Sequence, residues 1–500
     1  MLNRLNNILL IFILSVFVIF IQQIMDVSAQ ELVEPEIRYS LESDPYLLDD
    51  DFTVEKFVTG LDLPVTMEFV GNDLLVVQKN DGKVRLIRDN ILQNEPVLDV
   101  EVSNYGEIGL LGITSKDSTV YLFFQEAFHD GGLMLESRIY SYTWNGQKLV
   151  EPRLVKTLPG WPQGGGAHYS GVFTTDLSKN VYFVIGNQYK YGILQNYLPS
   201  ESFNCNVQSP VCDSSDHVSL SSSIEYTISC INVSFRHYTT NPFSYQSYQP
   251  HRLSDNPWET NLAFTLQNLQ SCFNGFIYNN FSNGHWKDTS VILKIDPYQD
   301  DYYAIGIRNS FGMTVDPLTG NLWIGDNGDD KYDEINLVLE KSNLGATKYV
   351  GSVNKESVST VPGYEEYVYK NPEFVWELPI GITALEFVDS DMFKKYKNWL
   401  FVADAHNGKI YKFRLNPDRT GFVFNTPHLQ DNILNILSKP QDIVTPEDIR
   451  NADYSSFLVE PMDEILFGKN FGIISDITFG PDGSLYVISY LDGIIYKISS

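Results

Sequence analysis

In the stretch GWPQGGGAHYSGVFTTD, residues 160–176, three consecutive glycines precede His168 and a β-like run follows at once. An imidazole titrates near neutrality and can take a proton, while a loop almost free of side chains lets a partner approach the backbone closely. Ligand chemistry is one reading of this pattern, and a solvated loop histidine is the other. A second stretch, 305–338, carries Arg308 and Asn309. A guanidinium there can clamp a carboxylate with two parallel bonds, or else form a buried ion pair within the scaffold. The same stretch holds Gly328, Asp329, Asp330, Asp333 and Glu334, hard oxygen donors crowded into one turn. Ca²⁺ takes such donors, although EF-hand spacing is absent and a solvated acidic turn satisfies the same composition.

Something must bring these distant groups to one place, and the chain's repetition supplies it. Six segments share one grammar, an alternating apolar strand, a turn centred on Gly or Asn, and a second strand: NDLLVVQKNDGKVRLI from Asn72, STVYLFFQ from Ser118, KNVYFVIGNQ from Lys179, TGNLWIGDNGDDKYDEINLV from Thr319, NWLFVADAHNGKIYKF from Asn398 and PDGSLYVISYLDGIIYKI from Pro481. Turns such as Asp81-Gly82, Asn407-Gly408 and Asp492-Gly493 mark hairpins. A lone hairpin cannot bury its apolar face, whereas radially stacked sheets can. The pattern predicts an all-β fold, a six-bladed β-propeller over residues 52–500. Helical signal is confined to stretches such as Pro446–Asn451 and Asp391–Lys397.

Composition narrows the partners. Thirty-five basic residues face 63 acidic ones, a formal net charge of -28, which repels nucleic acid and anionic lipid surfaces. Residues 1–29 read as a secretory signal peptide, with Arg4, an apolar run from Ile8 to Ile21 and a VSA ending at Ala29. The same stretch also reads as an uncleaved anchor and membrane tether, and either way the body is expected outside the cytoplasm. Residues 30–51 read as an acidic linker. Between about 199 and 288 the chain loses periodicity and gathers all four cysteines, Cys205, Cys212, Cys230 and Cys272, with NVS at Asn232 and NFS at Asn280. This predicts a disulfide-stapled insertion; spacing favours Cys205–Cys212 with Cys230–Cys272 among three connectivities.

GLDLPVTMEFV from Gly60, DGKVRLI from Asp81, GEIGLLGI from Gly106, AHYSG from Ala167, IGIRNSFGMTVDPLTGNLWIGDNGDDKYDEINLV from Ile305 and LFVADAHNGKIYKF from Leu400 occur in order. Together they resemble the glucose/sorbosone dehydrogenase family, soluble quinoprotein sugar dehydrogenases on a six-bladed propeller. The resemblance implies a sugar or polyol substrate, pyrroloquinoline quinone and Ca²⁺. It makes His168 the general base that takes a hydroxyl proton as hydride passes to the quinone, with Arg308 and Asn309 contacting that cofactor and the Gly328–Glu334 turn supplying calcium ligands. It also marks departures. Asn187 stands where relatives orient the histidine with a carboxylate, which makes for a weaker base, and Glu107 stands where they have a glutamine near the cofactor. His406 replaces a lysine that contacts the quinone, and Ile473 and Ser475 replace an arginine pair. Two other functions suit the same resemblance: a propeller that binds ligands without redox chemistry, and a Ca²⁺-dependent lactonase or hydrolase.

Overall fold

The computed structural model describes residues 44–158, 166–188, 288–434 apart from 347 and 362, and 461–500. The leader, the cysteines, the glycosylation sequons and the Pro446–Asn451 stretch all lie outside these residues. The described strands form six sheets, each built on up-and-down antiparallel neighbours. Each of the six repeated segments falls in a different sheet. No α-helix occurs among the described residues; the expected helical signal at 391–397 is a single 3₁₀ turn, Lys394–Tyr396.

The inner strand, at one edge of each sheet, is Pro64–Val70, Leu110–Lys116, Val172–Thr175, Gly312–Val315, Ile382–Phe387 or Ile474–Phe479. Each of these lies against the next in that order, and the last returns to the first, so they enclose an axis. Side chains stitch them together. Ser115 donates to Glu68 Oε1 at 2.6 Å, Thr383 to the Ile474 carbonyl at 2.6 Å, and Ser475 to the Pro64 carbonyl at 2.9 Å. The fold is an all-β propeller.

Outward from the axis, an apolar cluster fills each gap between neighbouring sheets. Leu75, Val77 and Leu86 of one sheet meet Leu110, Leu122 and Phe124 of the next. Trp323, Phe374 and Trp376 likewise meet Tyr411 and Phe413. Alternation along each strand makes this two-sided burial possible, because successive side chains feed opposite gaps. One sheet joins an early strand to a late one: Thr53–Val58 pairs antiparallel with Ile494–Ser499, Thr53 opposite Ser499. Residues 46–49, within the stretch read as a linker, are part of the scaffold. Tyr46–Leu47 pairs with Gly468–Lys469, and the buried Asp49 carboxylate accepts from Lys395 Nζ at 2.7 Å and Tyr396 Oη at 2.6 Å.

Candidate functional site

Antiparallel pairing puts the start of each inner strand beside the end of the strand that follows it, as in Pro64 opposite Gln78, Val172 opposite Val184 and Gly312 opposite Gly325. Glu107, His168, Arg308 and Asn309 each sit just before an inner strand. Lys79, Asn187, Asp326 and His406 sit at or just after the end of the next one. Residues far apart in the chain therefore share one rim.

His168 is only 4% exposed, with φ +61, in the left-handed region. Its backbone N–H donates to Glu107 Oε2 at 2.5 Å, and its Nδ1 lies 2.8 Å from Asn187 Oδ1. With the amide oxygen facing the ring, Nδ1 carries the proton and Nε2 presents the lone pair. Burial pushes the imidazole down to about 4, aided by the Arg308 charge and opposed by the Asn187 hydrogen bond. The ring is a neutral, weak base rather than one poised near pH 7.

The tight fit here explains two glycines. A Cβ on Gly186 would stand 2.4 Å from the His168 carbonyl and 2.7 Å from the Arg308 carbonyl, so only glycine lets these two backbones meet. Of the three-glycine run, Gly166 is described. What approaches it is the protein's own Glu107 loop, with the Tyr105 ring 2.8 Å from where a Cβ would be and Glu107 N–H donating to the Gly166 carbonyl at 2.6 Å.

Arg308 and Asn309 are buried and fixed by the Asp326 carboxylate, which accepts their backbone N–H groups at 2.9 and 2.7 Å. Burial raises Asp326 to about 6 despite those bonds. The Arg308 guanidinium turns onto the neighbouring turn: Nη1 donates to the Asn327 and Gly328 carbonyls at 2.8 and 2.6 Å, and Nη2 to Asp329 Oδ1 at 2.9 Å. Asn309 Nδ2 reaches both oxygens of Glu107 at 3.4 Å. Glu107 thus ties the His168 loop to the Arg308–Asn309 segment, and burial raises its pKa.

The acidic turn is not brought together as a ligand set. Asp333 and Glu334 are successive strand residues and face opposite ways. Asp333 is spent on the Gly328, Ile380 and Gly381 N–H groups at 2.9, 2.7 and 2.7 Å, and Glu334 on Gly351 N–H and Asn336 Nδ2. Asp329 and Asp330 are exposed, and the Gly328 carbonyl faces Arg308. Among the described residues, no group of three or more His, Cys, Asp or Glu side chains is set to hold a metal ion. His406 is exposed, with Nδ1 3.2 Å from the Pro379 carbonyl and its ring against Gly381.

Three features escaped the sequence reading: Gly186, Asp326 and Lys79. Lys79 is 7% exposed and gives its Nζ hydrogens to Asn80 Oδ1 at 2.9 Å and the Asn104 carbonyl at 3.1 Å. Burial lowers it to about 8, while the Glu107 charge holds it up. An apolar-to-basic step after a strand ends VVQK, and that was the only signal available for Lys79. A tricarboxylated quinone does not fit these groups. Arg308 is already paired with Asp329, Lys79 faces loop oxygens, and the carboxylates Glu107 and Asp326 beside Arg308 and Asn309 add negative charge of their own.

Residues 275–436 match the family model described as Glucose / Sorbosone dehydrogenase. The chain is 24% identical over 163 residues to the aldose sugar dehydrogenase YliI of Escherichia coli K12, covering 32% of this chain and 44% of that protein. It is 30% identical over 132 residues to an uncharacterized Borreliella burgdorferi protein, covering 24% and 34%. The matched stretches thus span less than half of either curated relative. In fold, the chain is similar to a glucose dehydrogenase structure from Thermus thermophilus, with TM-score 0.54, 17% identity and coverage of 89% and 99%. It is also similar to the soluble aldose sugar dehydrogenase of E. coli in the apo form, with TM-score 0.52, 16% identity and coverage of 90% and 99%.

Proposed function

We propose that this propeller, which resembles the glucose/sorbosone dehydrogenases, carries at its His168 rim a carbohydrate site of the oxidoreductase type. In this proposal the six sheets are six blades of a closed ring. The observation that carries the reading is a buried, neutral imidazole that feels the charge of Arg308, whose guanidinium is fixed on the Asn327–Asp329 turn. His168 Nε2 takes the proton of a sugar hydroxyl, the carbon bearing it becomes a carbonyl, and the C–H electron pair leaves as hydride to a two-electron acceptor. Asn187 holds the ring, and Glu107 holds the loop that carries it. Pyrroloquinoline quinone is the acceptor the resemblance implies, but the described groups do not match its three carboxylates. Export, through the residue 1–29 segment as leader or anchor, is part of the proposal.

A non-catalytic ligand-binding propeller is the second reading, favoured by a guanidinium already paired with Asp329. Purified protein mixed with an aldose and a redox dye, with and without the quinone and Ca²⁺, separates the two. The oxidoreductase reading expects dye bleaching that His168→Ala abolishes. Sugar binding with no bleaching under any condition establishes the binding module instead.

A further inference from the structure

We infer that the tip of the hairpin at residues 127–135, next to the His168 rim, docks a basic protein partner through exposed apolar side chains flanked by carboxylates. Among the described residues, the two most exposed large apolar side chains are Phe128, at 83%, and Leu133, at 70%, and both sit on this one tip, where Leu135 is exposed as well. Apolar side chains scattered singly over a surface need no partner, whereas a group of them on one projection marks a contact face. The tip is held in place while it presents them. Gly131 N–H donates to the Val102 carbonyl at 2.9 Å, Gly132 N–H to the His129 carbonyl at 2.9 Å and Leu135 N–H to the Glu126 carbonyl at 2.8 Å. Met134, between the two leucines, is buried in the core. The display is thus fixed before any partner arrives, and little freedom is lost on contact.

Charge decides what kind of partner fits. Asp130 is exposed on the tip; its Oδ1 accepts the Val102 N–H at 3.0 Å, and its own N–H donates to Glu101 Oε2 at 2.9 Å. Burial raises the nearby Asp99 carboxyl, Lys83 opposes the rise, and the charges of Asp130, Asp81 and Glu101 add to it. Lys83, the ammonium among these acids, already donates to Asp81 at 2.9 Å. Negative charge therefore flanks the apolar tip, on a chain whose formal net charge is -28. A second copy or an anionic bilayer would bring like charge to like, whereas a lysine-rich face gains from each carboxylate it meets. The apolar centre of such a partner covers Phe128 and Leu133, and the ion pairs stay at the wet edge, where they steer encounter more than they add affinity. The segment that holds Glu101 and Val102 runs on to Tyr105, whose ring lies against Gly166, and to Glu107, which accepts the His168 N–H. A protein docked on the tip borders the candidate site, and the inference stands whether or not that site takes a carbohydrate.

Cytochrome c, a small basic protein whose lysines surround an apolar haem edge, is the probe, titrated into the whole chain by calorimetry. Binding in roughly the micromolar range is expected at low salt, weakening as salt is added. Phe128→Ser with Leu133→Ser should weaken it roughly tenfold, and so should Glu101→Gln with Asp130→Asn, which removes charge and keeps both acceptors. Leu318→Ser, on the exposed turn after Gly312–Val315, should change nothing, and unchanged melting curves certify the fold of all three. With p-benzoylphenylalanine in place of Phe128, light should join the chain to cytochrome c at low salt and not at high salt. The inference is overturned by no binding at low salt, by binding that either double variant leaves intact, by a crosslink within the chain or to a second copy, or by capture of the tip on neutral phosphatidylcholine vesicles.

Discussion

His168 and Arg308 are joined through one residue. Asn187 meets the His168 ring with its side chain at 2.8 Å and donates its backbone N–H to the Arg308 carbonyl at 2.9 Å. The imidazole is thereby tied to the Arg308 backbone, and the arginine's charge is one reason the imidazole stays neutral.

Replacing Asn187 by Asp puts a negative charge where the ring proton sits and should raise His168 from about 4 by about 1–3 units. NMR titration of the ring protons reads the change directly. The wild-type sign also follows: a histidine depressed from 6.5 to about 4 contributes stability that is present above pH 6.5 and lost as the pH falls toward 4. Asn187→Asp should narrow that acid loss. An unmoved titration in the variant would mean that the amide does not govern the ring.

Gly186→Ala would place a methyl 2.4 Å from the His168 carbonyl and 2.7 Å from the Arg308 carbonyl, both backbone atoms that cannot swing aside. Destabilisation of about 1–3 kcal/mol is expected in urea unfolding, together with loss of ligand binding. Alanine at Gly146, where a Cβ meets nothing within 4 Å, cannot clash in this way and should cost less, even though its φ of +87 also suits glycine.

The contrast between those glycines shows what the sequence could and could not reveal. Period-2 strands and Asp-Gly or Asn-Gly turns are local, so the sheets around Asp81-Gly82, Asn407-Gly408 and Asp492-Gly493 were legible from spacing alone. His168, Glu107, Arg308 and Asn309 were legible through motif resemblance, and they do converge. Partner choice was not legible. Nothing local says that Asp333 will be consumed by three backbone N–H groups from two segments, or that Arg308 will face its own downstream turn. Those outcomes depend on which ends the ring brings together.

Three carboxylates line the axis on neighbouring inner strands: Glu68, Glu386 and Asp476. Burial raises them to about 7, 8 and 8; the Asp476 and Glu68 charges push Glu386 further up, and the Glu68 charge does the same for Asp476. Ser115 faces Glu68, Thr314 faces Glu386, and the Met67 N–H faces Asp476, so the contacts are neutral donors. A carboxyl raised in the folded state contributes stability that is full below its unfolded value near 4–4.5 and lost as the pH rises through 7–8. Melting temperature should therefore fall between pH 5 and 8, and Glu386→Gln should recover about a few degrees at the alkaline end. A flat wild-type profile over that range would contradict the assignment.

Glu107 offers the sharpest separation of charge from hydrogen bonding. Glu107→Ala strands the His168 N–H and the Asn309 amide and should cost about 1–3 kcal/mol. Glu107→Gln keeps an acceptor for His168 but removes the charge that holds Lys79 up. The Lys79 amine, about 8 in the native chain, should then titrate lower, since burial acts on it unopposed. Acylation of Lys79 against pH, read by mass spectrometry, reports that shift. If the midpoint stayed in place, the ammonium would be governed by Asn80 and Asn104 alone, and the electrostatic link from Lys79 through Glu107 to the His168 loop would not exist.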